Sequence, residues 1–361
     1  MAINIDLDTS RNDLLAERRV TKQLDYYNRS YKGSSHSRSL ALHACPRKFE
    51  LDSKYKLNTR RGSVTFAYGH AVGAGIQATI SGMSETRSLM FTLLEYDYDI
   101  DKVGNVSEQL SNKSMWHALA FVRRFHHLYT SGQLGYLNGW EVAEFNYNGK
   151  TISGVELTFV IELGDGFTYE GHIDLVLYNK KKNRYMVLEL KTTNANYIDE
   201  AQFRNSGQPI GYSVIIDNIA GNLEASSSLD VLYIVGKSKT QDIIPMPFTK
   251  TPLDKANFLM GIMLDKEQVM LYEENGFYPK HGESCFNFYR RCPHYGKCHL
   301  PASTLRSMER DAKDDEVVYS ELEEPTFMFT IDEVLDRQQE VEKYSTNADT
   351  EVDMLLDVRV L

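Results

Sequence analysis

The segment from Gly171 to Lys191 is the feature that most constrains the fold of this chain. Two runs rich in Val, Ile, Leu and Tyr flank the polar segment 179–184, and this pattern predicts a β-hairpin. Side chains alternate between the two faces of a strand, so Glu189 and Lys191 share one face of the second strand. Because Asp174 lies on the first strand, the hairpin predicts that two carboxylates and a lysine meet at one edge of a sheet.

The chemistry of these three side chains fits either a metal site or a solvated strand face. Two carboxylates suit hard, oxygen-seeking cations such as Mg²⁺ or Mn²⁺. A neighbouring lysine can orient or deprotonate a water molecule, or neutralise charge that develops on a phosphate. A Glu-x-Lys pair alone is common on solvated strand faces, so a further motif is needed to choose between the two interpretations.

That further motif is the segment from Gln208 to Tyr212, which reads Gln-Pro-Ile-Gly-Tyr. On a helix its first and last residues share one face, because they are four positions apart. Asp174, followed 15 residues later by Glu189-x-Lys191, resembles the signature of the PD-(D/E)xK nuclease superfamily. The second segment resembles the QxxxY element that follows the catalytic strand in the RecB-type members of that superfamily.

The resemblance implies an α/β fold with a restriction-endonuclease-like core, in which a mixed sheet of about five strands is flanked by helices. It also implies that Asp174, Glu189 and the carbonyl of Leu190 hold Mg²⁺ or Mn²⁺. The implied catalytic residues are Asp174, Glu189, Lys191, Gln208 and Tyr212. Since the superfamily includes inactive members, a nuclease fold that binds or scaffolds DNA without cutting it is the alternative.

Residues 66–80 resemble the first motif of the same family, with one difference. Gly69 matches the glycine of the motif, but Gly73 stands four residues later, where the family usually has a metal-binding histidine. His70 is the nearby histidine, and it shares one helix face with Gly73 and Gln77. Three interpretations stay open: His70 or Gln77 is a metal ligand, the two strand carboxylates hold one metal with water, or His70 is structural.

The four cysteines also have a distinctive arrangement. Cys285, Cys292 and Cys298 form a C-x6-C-x5-C motif, and Cys45 lies 240 residues before the first of them (285 − 45). In an intracellular protein, clustered cysteines bind metal more often than they form disulfides. On chemistry alone, four thiolates suit tetrahedral zinc and an iron–sulfur cluster equally well, and buried free thiols are a third interpretation.

The order of these cysteines resembles the iron–sulfur staple of AddB-type nucleases and of CRISPR-associated adaptation exonucleases. In both, one cysteine precedes the nuclease core and three follow it. The resemblance implies that Cys45, Cys285, Cys292 and Cys298 hold a 4Fe–4S cluster, in preference to zinc, and that the cluster ties the two ends of the domain together.

Charge is distributed unevenly along the chain, whose net charge is −10. Residues 301–361 contain 17 acidic and 6 basic residues, a net charge of −11. The other 300 residues contain 33 acidic (50 − 17) and 34 basic (40 − 6) residues, a net charge of +1. A basic groove that binds phosphates is therefore compatible with the overall charge, although a solvated helix face is equally consistent. The candidate DNA-binding residues are Arg38, Arg47, Lys48, Arg60 and Arg61.

Three regions are predicted along the chain. Residues 1–33 form a helical lead-in, and residues 34–300 form the nuclease domain, with a helical insertion at about 83–135 and the cysteine cluster at 285–298. Residues 301–361 form an acidic tail that contains an amphipathic helix near 331–344. The tail can dock a protein partner, or it can be a disordered or packed terminus.

The expected function is that of a metal-dependent exonuclease on single-stranded DNA ends, in recombination, replication or repair. No apolar stretch approaches the roughly 20 residues that cross a bilayer, and the first 13 residues do not show the basic-then-apolar pattern of a secretory signal. We therefore expect a cytoplasmic protein of a bacterial or phage-infected cell, with DNA as its partner and no membrane association.

Overall fold

A mixed β-sheet forms the centre of the computed structural model, which describes residues 32–55, 63–100, 112–195, 197–287, 290–313 and 325–344. The described strands are β1 (Gly33–Ser34), β2 (Glu141–Val142), β3 (Glu144–Tyr147), β4 (Lys150–Ser153), β5 (Val155–Gly164), β6 (Phe167–Asn179), β7 (Arg184–Thr193), β8 (Leu229–Lys237), β9 (Ile243–Lys250), β10 (Phe286–Asn287), β11 (Arg290–Arg291) and β12 (Phe327–Thr330). The main sheet has eight strands, with the order β12-β5-β6-β7-β8-β9 and with β1 and β2 paired to β6. The predicted mixed sheet is confirmed, and it is larger than the expected five strands.

Helices cover both faces of this sheet. The described helices are α1 (His36–Ala44), α2 (Pro46–Ser53), α3 (Val64–Ile80), α4 (Glu85–Ile100), α5 (Met115–Thr130), α6 (Glu200–Arg204), α7 (Gln208–Ile219), α8 (Leu223–Ser227), α9 (Pro252–Glu274), α10 (Ala302–Lys313) and α11 (Ile331–Glu342). Two short 3₁₀ helices span Gly135–Leu137 and Gly282–Cys285. Among the described residues, no helix is both long and apolar enough to cross a bilayer.

The two faces of the sheet bury alternate residues of the same strands. Leu175 and Leu188 pack with α3 and α5 on one face. Val176 and Val187 pack with α7, α9 and α11 on the other face. This alternation follows from the period of two along a strand, and it makes a three-layer α/β/α fold.

The predicted hairpin is formed by β6 and β7. The two strands are antiparallel, with Leu175 opposite Leu188 and Val176 opposite Val187. In the turn, the side-chain oxygen of Asn179 accepts a hydrogen bond from the backbone N–H of Lys182 at 3.0 Å. The polar turn residues thus close the hairpin that the apolar pattern predicts.

Helices α3, α4 and α5 pack closely against one another beside the sheet. Gly75 of α3 makes this approach feasible, because a Cβ atom there would lie 2.2 Å from Oγ1 of Thr92 and 2.6 Å from the side chain of Val122. On α5 the buried residues Ala118, Val122 and Phe125 follow the predicted helical spacing. The described part of the predicted helical insertion is therefore helical.

Residues 327–342, within the predicted acidic tail, complete the sheet. β12 pairs in parallel with β5, with Phe327 opposite Phe159. Thr330 and Glu333 then form a capping box that starts α11. The predicted amphipathic helix is confirmed, and it buries Val334, Leu335 and Val341. Most of the predicted lead-in (residues 1–31), together with residues 314–324 and 345–361, lies outside the described residues.

Candidate active site

The hairpin places the predicted acidic residues close together. Leu175 of β6 pairs with Leu188 of β7 at the end of this ladder. Asp174 and Glu189 are the next residues beyond that pair, and the charge of Glu189 acts on Asp174. Glu189 is only 2% exposed, and its Oε1 atom accepts a hydrogen bond from Nζ of Lys191 at 2.6 Å. Its other oxygen, Oε2, is buried without a hydrogen-bond partner. A buried carboxylate oxygen without a partner is costly, and a bound cation would remove that cost.

The electrostatics of the site also favour a cation. Burial raises the pKa of Asp174 well above its ordinary value, and the carboxylates of Glu189 and Glu156 raise it further. Burial alone would lower the pKa of Lys191, but the charges of Glu189 and Asp174 outweigh burial and raise it. The lysine is therefore charged at neutral pH. A buried carboxyl group whose pKa is raised by neighbouring carboxylates is typical of functional sites that bind a positive partner.

Helix α7 adds a chain of hydrogen bonds to the lysine. Nζ of Lys191 donates to Oε1 of Gln208 at 3.2 Å, and Nε2 of Gln208 donates to the hydroxyl of Tyr212 at 2.6 Å. Burial, and then the nearby carboxylates, raise the pKa of Tyr212 well above its ordinary value, so its hydroxyl stays neutral. The structure thus brings the five predicted catalytic residues into one connected group.

Two further residues of this group were not among the predicted site residues. Nε2 of His172 lies 2.5 Å from Oε2 of Glu156, which is on the neighbouring strand β5. Burial alone would lower the pKa of His172, but the charges of Glu156, Asp174 and Glu189 raise it overall. Glu156 has a φ of 54°, a conformation that is uncommon outside glycine and that clusters at functional sites. The sequence could have indicated His172, because it lies two residues before Asp174 and therefore on the same strand face.

His36, the first residue of α1, is a third residue that was not among the predicted site residues. A Cβ atom on Gly207, just before Gln208, would lie 3.7 Å from Nδ1 of His36. Burial, and then the charge of Lys191, lower the pKa of His36. The imidazole is therefore next to the lysine and the start of α7, at a position that no motif in the sequence indicates.

Helix α3 packs against the face of the hairpin opposite to α7. Nε2 of Gln77 donates to the backbone carbonyl of Asp174 at 3.2 Å, and a Cβ atom on Gly69 would lie 3.5 Å from Oγ1 of Thr192. Between these two contacts, a Cβ atom on Gly73 would meet no atom within 4 Å. The position where the family usually has a histidine therefore faces open space.

The side chain of His70 contacts helix α4. Its Nδ1 atom lies 2.7 Å from Oδ2 of Asp99, and Glu95 belongs to the same group of ligand atoms. The structure does not group His70 with the two strand carboxylates, although it was a predicted ligand of the same metal.

The cysteine-containing segments approach each other near the end of α1. The carbonyl of Ala44, next to Cys45, accepts a hydrogen bond from Oγ of Ser284 at 2.5 Å. The backbone N–H of Cys292 donates to the carbonyl of Cys285 at 2.8 Å. Burial raises the pKa of Cys292, and the thiols of Cys285 and Cys45 raise it further. These three thiols are therefore neighbours, and all four cysteines, including Cys298, are free and partly exposed.

The described basic residues of the predicted DNA-binding group contact other parts of the fold. A guanidinium N–H of Arg38 donates to the carbonyl of Gly33. Arg47 pairs with Glu50 and donates to the carbonyl of Cys298 at 3.1 Å, so it links α2 to the cysteine segment. Lys48 lies close enough to Cys292 to oppose the rise in its pKa. Arg60 and Arg61 lie outside the described residues. DNA binding by these residues stays a prediction.

Comparison with known proteins identifies the family. Residues 34–336 match the family model of the PD-(D/E)XK nuclease superfamily. A crystal structure of a candidate exonuclease from Eubacterium rectale is similar, with 12% identity and a TM-score of 0.44 over 90% of this chain and 97% of that one. The crystal structure of SSO0001 has 14% identity and a TM-score of 0.29 over 80% and 94%. Curated proteins gave no match. The structural similarities are weak, whereas the family model covers most of the chain, and the chain therefore belongs to the PD-(D/E)XK nuclease superfamily.

Proposed function

We propose that the protein is a Mg²⁺- or Mn²⁺-dependent deoxyribonuclease, and that it is an exonuclease on the ends of single-stranded DNA. The observation that carries the proposal is the buried Glu189 carboxylate beside Asp174. One of its oxygens is bound by Lys191 and the other has no hydrogen-bond partner. The preference for single-stranded ends, and a role in recombination, replication or repair, follow from the resemblance to RecB-type and iron–sulfur nucleases.

The residues of the site have separate roles in this proposal. Asp174, Glu189 and the carbonyl of Leu190 would hold the cation. When bound, the cation polarises the phosphate and lowers the pKa of a bound water. Lys191 supplies a fixed positive charge and N–H donors for the attacking water or for the charge that develops on the phosphate.

The surrounding residues fix that lysine and balance the charge. Gln208 accepts a hydrogen bond from Lys191, and Tyr212 accepts one from Gln208, so the ammonium group keeps one position. Nε2 of His172 lies 2.5 Å from Oε2 of Glu156, and the charges of Glu156, Asp174 and Glu189 favour the protonated form of this imidazole. Such preorganisation is important because a charge placed in advance costs no rearrangement during the reaction.

The test is degradation of end-labelled single- and double-stranded DNA with Mg²⁺ or Mn²⁺. The wild type is expected to shorten labelled single strands progressively from an end. Lys191→Ala is expected to reduce the rate by about 10²–10³-fold, the usual effect of removing one preorganised charge-stabilising group. Lys180→Ala is the matched control, because its side chain is 78% exposed in the hairpin turn. Equal rates for the wild type and Lys191→Ala would contradict the proposed site.

The second candidate function is DNA binding or scaffolding without cleavage. It is favoured by Gly73, which leaves open space where the family usually has a metal-binding histidine. DNA binding by the wild type without degradation in either metal would support this alternative. Internal cuts in circular DNA would instead support an endonuclease.

We also propose that Cys45, Cys285, Cys292 and Cys298 hold a 4Fe–4S cluster that ties the amino-terminal helices to the carboxy-terminal segment. The neighbouring thiols fit this chemistry, because all four cysteines are free. On chemistry alone, zinc suits four thiolates equally well. The preference for a cluster follows from the resemblance of the cysteine order to the iron–sulfur staple.

Anaerobic purification tests the cluster. The wild type is expected to be brown and to contain iron and acid-labile sulfide, whereas Cys292→Ser is expected to lose the colour. Lys191→Ala is the control, since its substitution lies in the candidate active site and should leave the cluster intact. A colourless wild-type protein that contains zinc would show the zinc alternative to be correct.

A further inference from the structure

A second group of metal-ligating side chains lies between α3 and α4. Glu95 and Asp99 are four residues apart on α4, so they share one helix face, and His70 of α3 faces them. Nδ1 of His70 lies 2.7 Å from Oδ2 of Asp99, and one ligand atom from each of the three residues lies within 4.8 Å of the others. These three donors come from two helices and belong to neither strand of the candidate active site.

The three residues differ in exposure, from Glu95 in the protein interior to His70 at the surface. Glu95 is 2% exposed, the Asp99 side chain is 14% exposed and the His70 side chain is 59% exposed. The exposed imidazole leaves a path from solvent, through which a cation can enter and keep water molecules as further ligands.

We propose that His70, Glu95 and Asp99 bind a divalent transition-metal ion at a site separate from the Asp174–Glu189 pair. One imidazole and two carboxylates suit ions such as Mn²⁺ or Zn²⁺, whereas Mg²⁺ favours oxygen ligands alone. The ion would replace the hydrogen bond between His70 and Asp99.

The site would join α3 to α4. Helix α3 also carries Gln77, which donates to the backbone carbonyl of Asp174. Metal binding therefore holds in place the helix that supports one strand of the candidate active site. The inference does not depend on nuclease activity, because its ligands and its effect on stability can be measured without DNA.

The experiment uses the full chain with Asp174→Asn and Glu189→Gln combined, so that both strand carboxylates are neutral. Mn²⁺ is the probe, because thiolates favour softer ions and the cysteines should therefore not compete for it. Electron paramagnetic resonance of free Mn²⁺ measures the bound fraction. We expect this variant to retain one bound Mn²⁺ and to unfold at a higher temperature when Mn²⁺ is present.

Adding His70→Gln is expected to abolish both the Mn²⁺ binding and the stabilisation. Asp99→Asn, a smaller change, is expected to do the same and replaces the first variant if circular dichroism shows that it is unfolded. His127→Gln on α5 is the control, since that histidine is exposed. Loss of Mn²⁺ binding in the starting variant, or its retention after His70→Gln and Asp99→Asn, would overturn the inference.

Discussion

Asp174→Asn is expected to abolish metal-dependent DNA cleavage and, at neutral pH, to make the metal-free protein more stable than the wild type. The loss of cleavage follows from the loss of a cation ligand, and we expect a decrease of at least about 10²–10³-fold. The gain in stability follows from burial and from the carboxylates of Glu189 and Glu156, which raise the pKa of Asp174. Ionised Asp174 therefore costs free energy in the folded protein, and an amide removes that cost.

The pH dependence has a definite sign. Since the pKa of Asp174 is higher in the folded than in the unfolded chain, its protonation stabilises the fold fully below the ordinary value of 3.8. That stabilisation is lost as the pH rises through the raised pKa. Thermal unfolding in cation-free buffer should thus show equal stability of variant and wild type at acidic pH, and a more stable variant at neutral pH.

Two further measurements make this result specific. Glu162→Gln, which neutralises an exposed carboxylate on β5, should show no such divergence with pH. Added Mn²⁺ should stabilise the wild type more than Asp174→Asn, because binding to the folded state alone stabilises it. A variant that is less stable than the wild type across the whole pH range would argue against a destabilising charge at this position.

The core of the candidate site was predictable because it depends on local periodicity. The period of two along a strand places Glu189 and Lys191 on one face, and the hairpin register places Asp174 and Glu189 just beyond the paired Leu175 and Leu188. The spacing of four on a helix places Gln208 and Tyr212 together. In each case the contact lies within one element, or between two strands joined by a short turn.

The contacts that the sequence did not indicate depend on tertiary packing. His70 was a predicted metal ligand because of its helix face, but its partner Asp99 lies 29 residues further along the chain on another helix. Glu156 reaches His172 only because β5 joins the sheet beside β6. Likewise, the short apolar alternation of β12 lies within an acidic segment, and nothing local indicates that it pairs with β5. Periodicity identifies a face of an element but does not identify the element that packs against it.

The largest effect on stability is expected from Asp217→Ala, far from the hairpin edge. Asp217 of α7 and Lys255 of α9 form an ion pair with both side chains fully buried, and Nζ lies 2.6 Å from Oδ2. Nζ also donates to the carbonyl of Ser226 at 2.9 Å, while Nε2 of Gln338 donates to the same Asp217 oxygen at 2.9 Å. The pair therefore joins α7 and α9 to α11, the helix that follows the edge strand β12.

Removing one partner leaves the other charge buried without compensation. We expect Asp217→Ala to lower the free energy of unfolding by about 3–5 kcal/mol, as measured by urea denaturation. By contrast, Glu141→Ala should cost less than about 1 kcal/mol, because it breaks an ion pair with Lys180 in which both side chains are mostly exposed.

A double variant distinguishes the loss of a charge partner from a simple loss of packing. Asp217→Asn combined with Lys255→Met removes both charges and keeps an acceptor for Gln338, so it should recover most of the stability lost in Asp217→Ala. The cost of Asp217→Ala should also decrease as the pH rises. Burial already lowers the pKa of Lys255, and without the opposing charge of Asp217 the amine loses its proton more readily in the folded state. If the double variant is as unstable as Asp217→Ala, or if the cost is independent of pH, packing rather than the buried charge determines the stability of this junction.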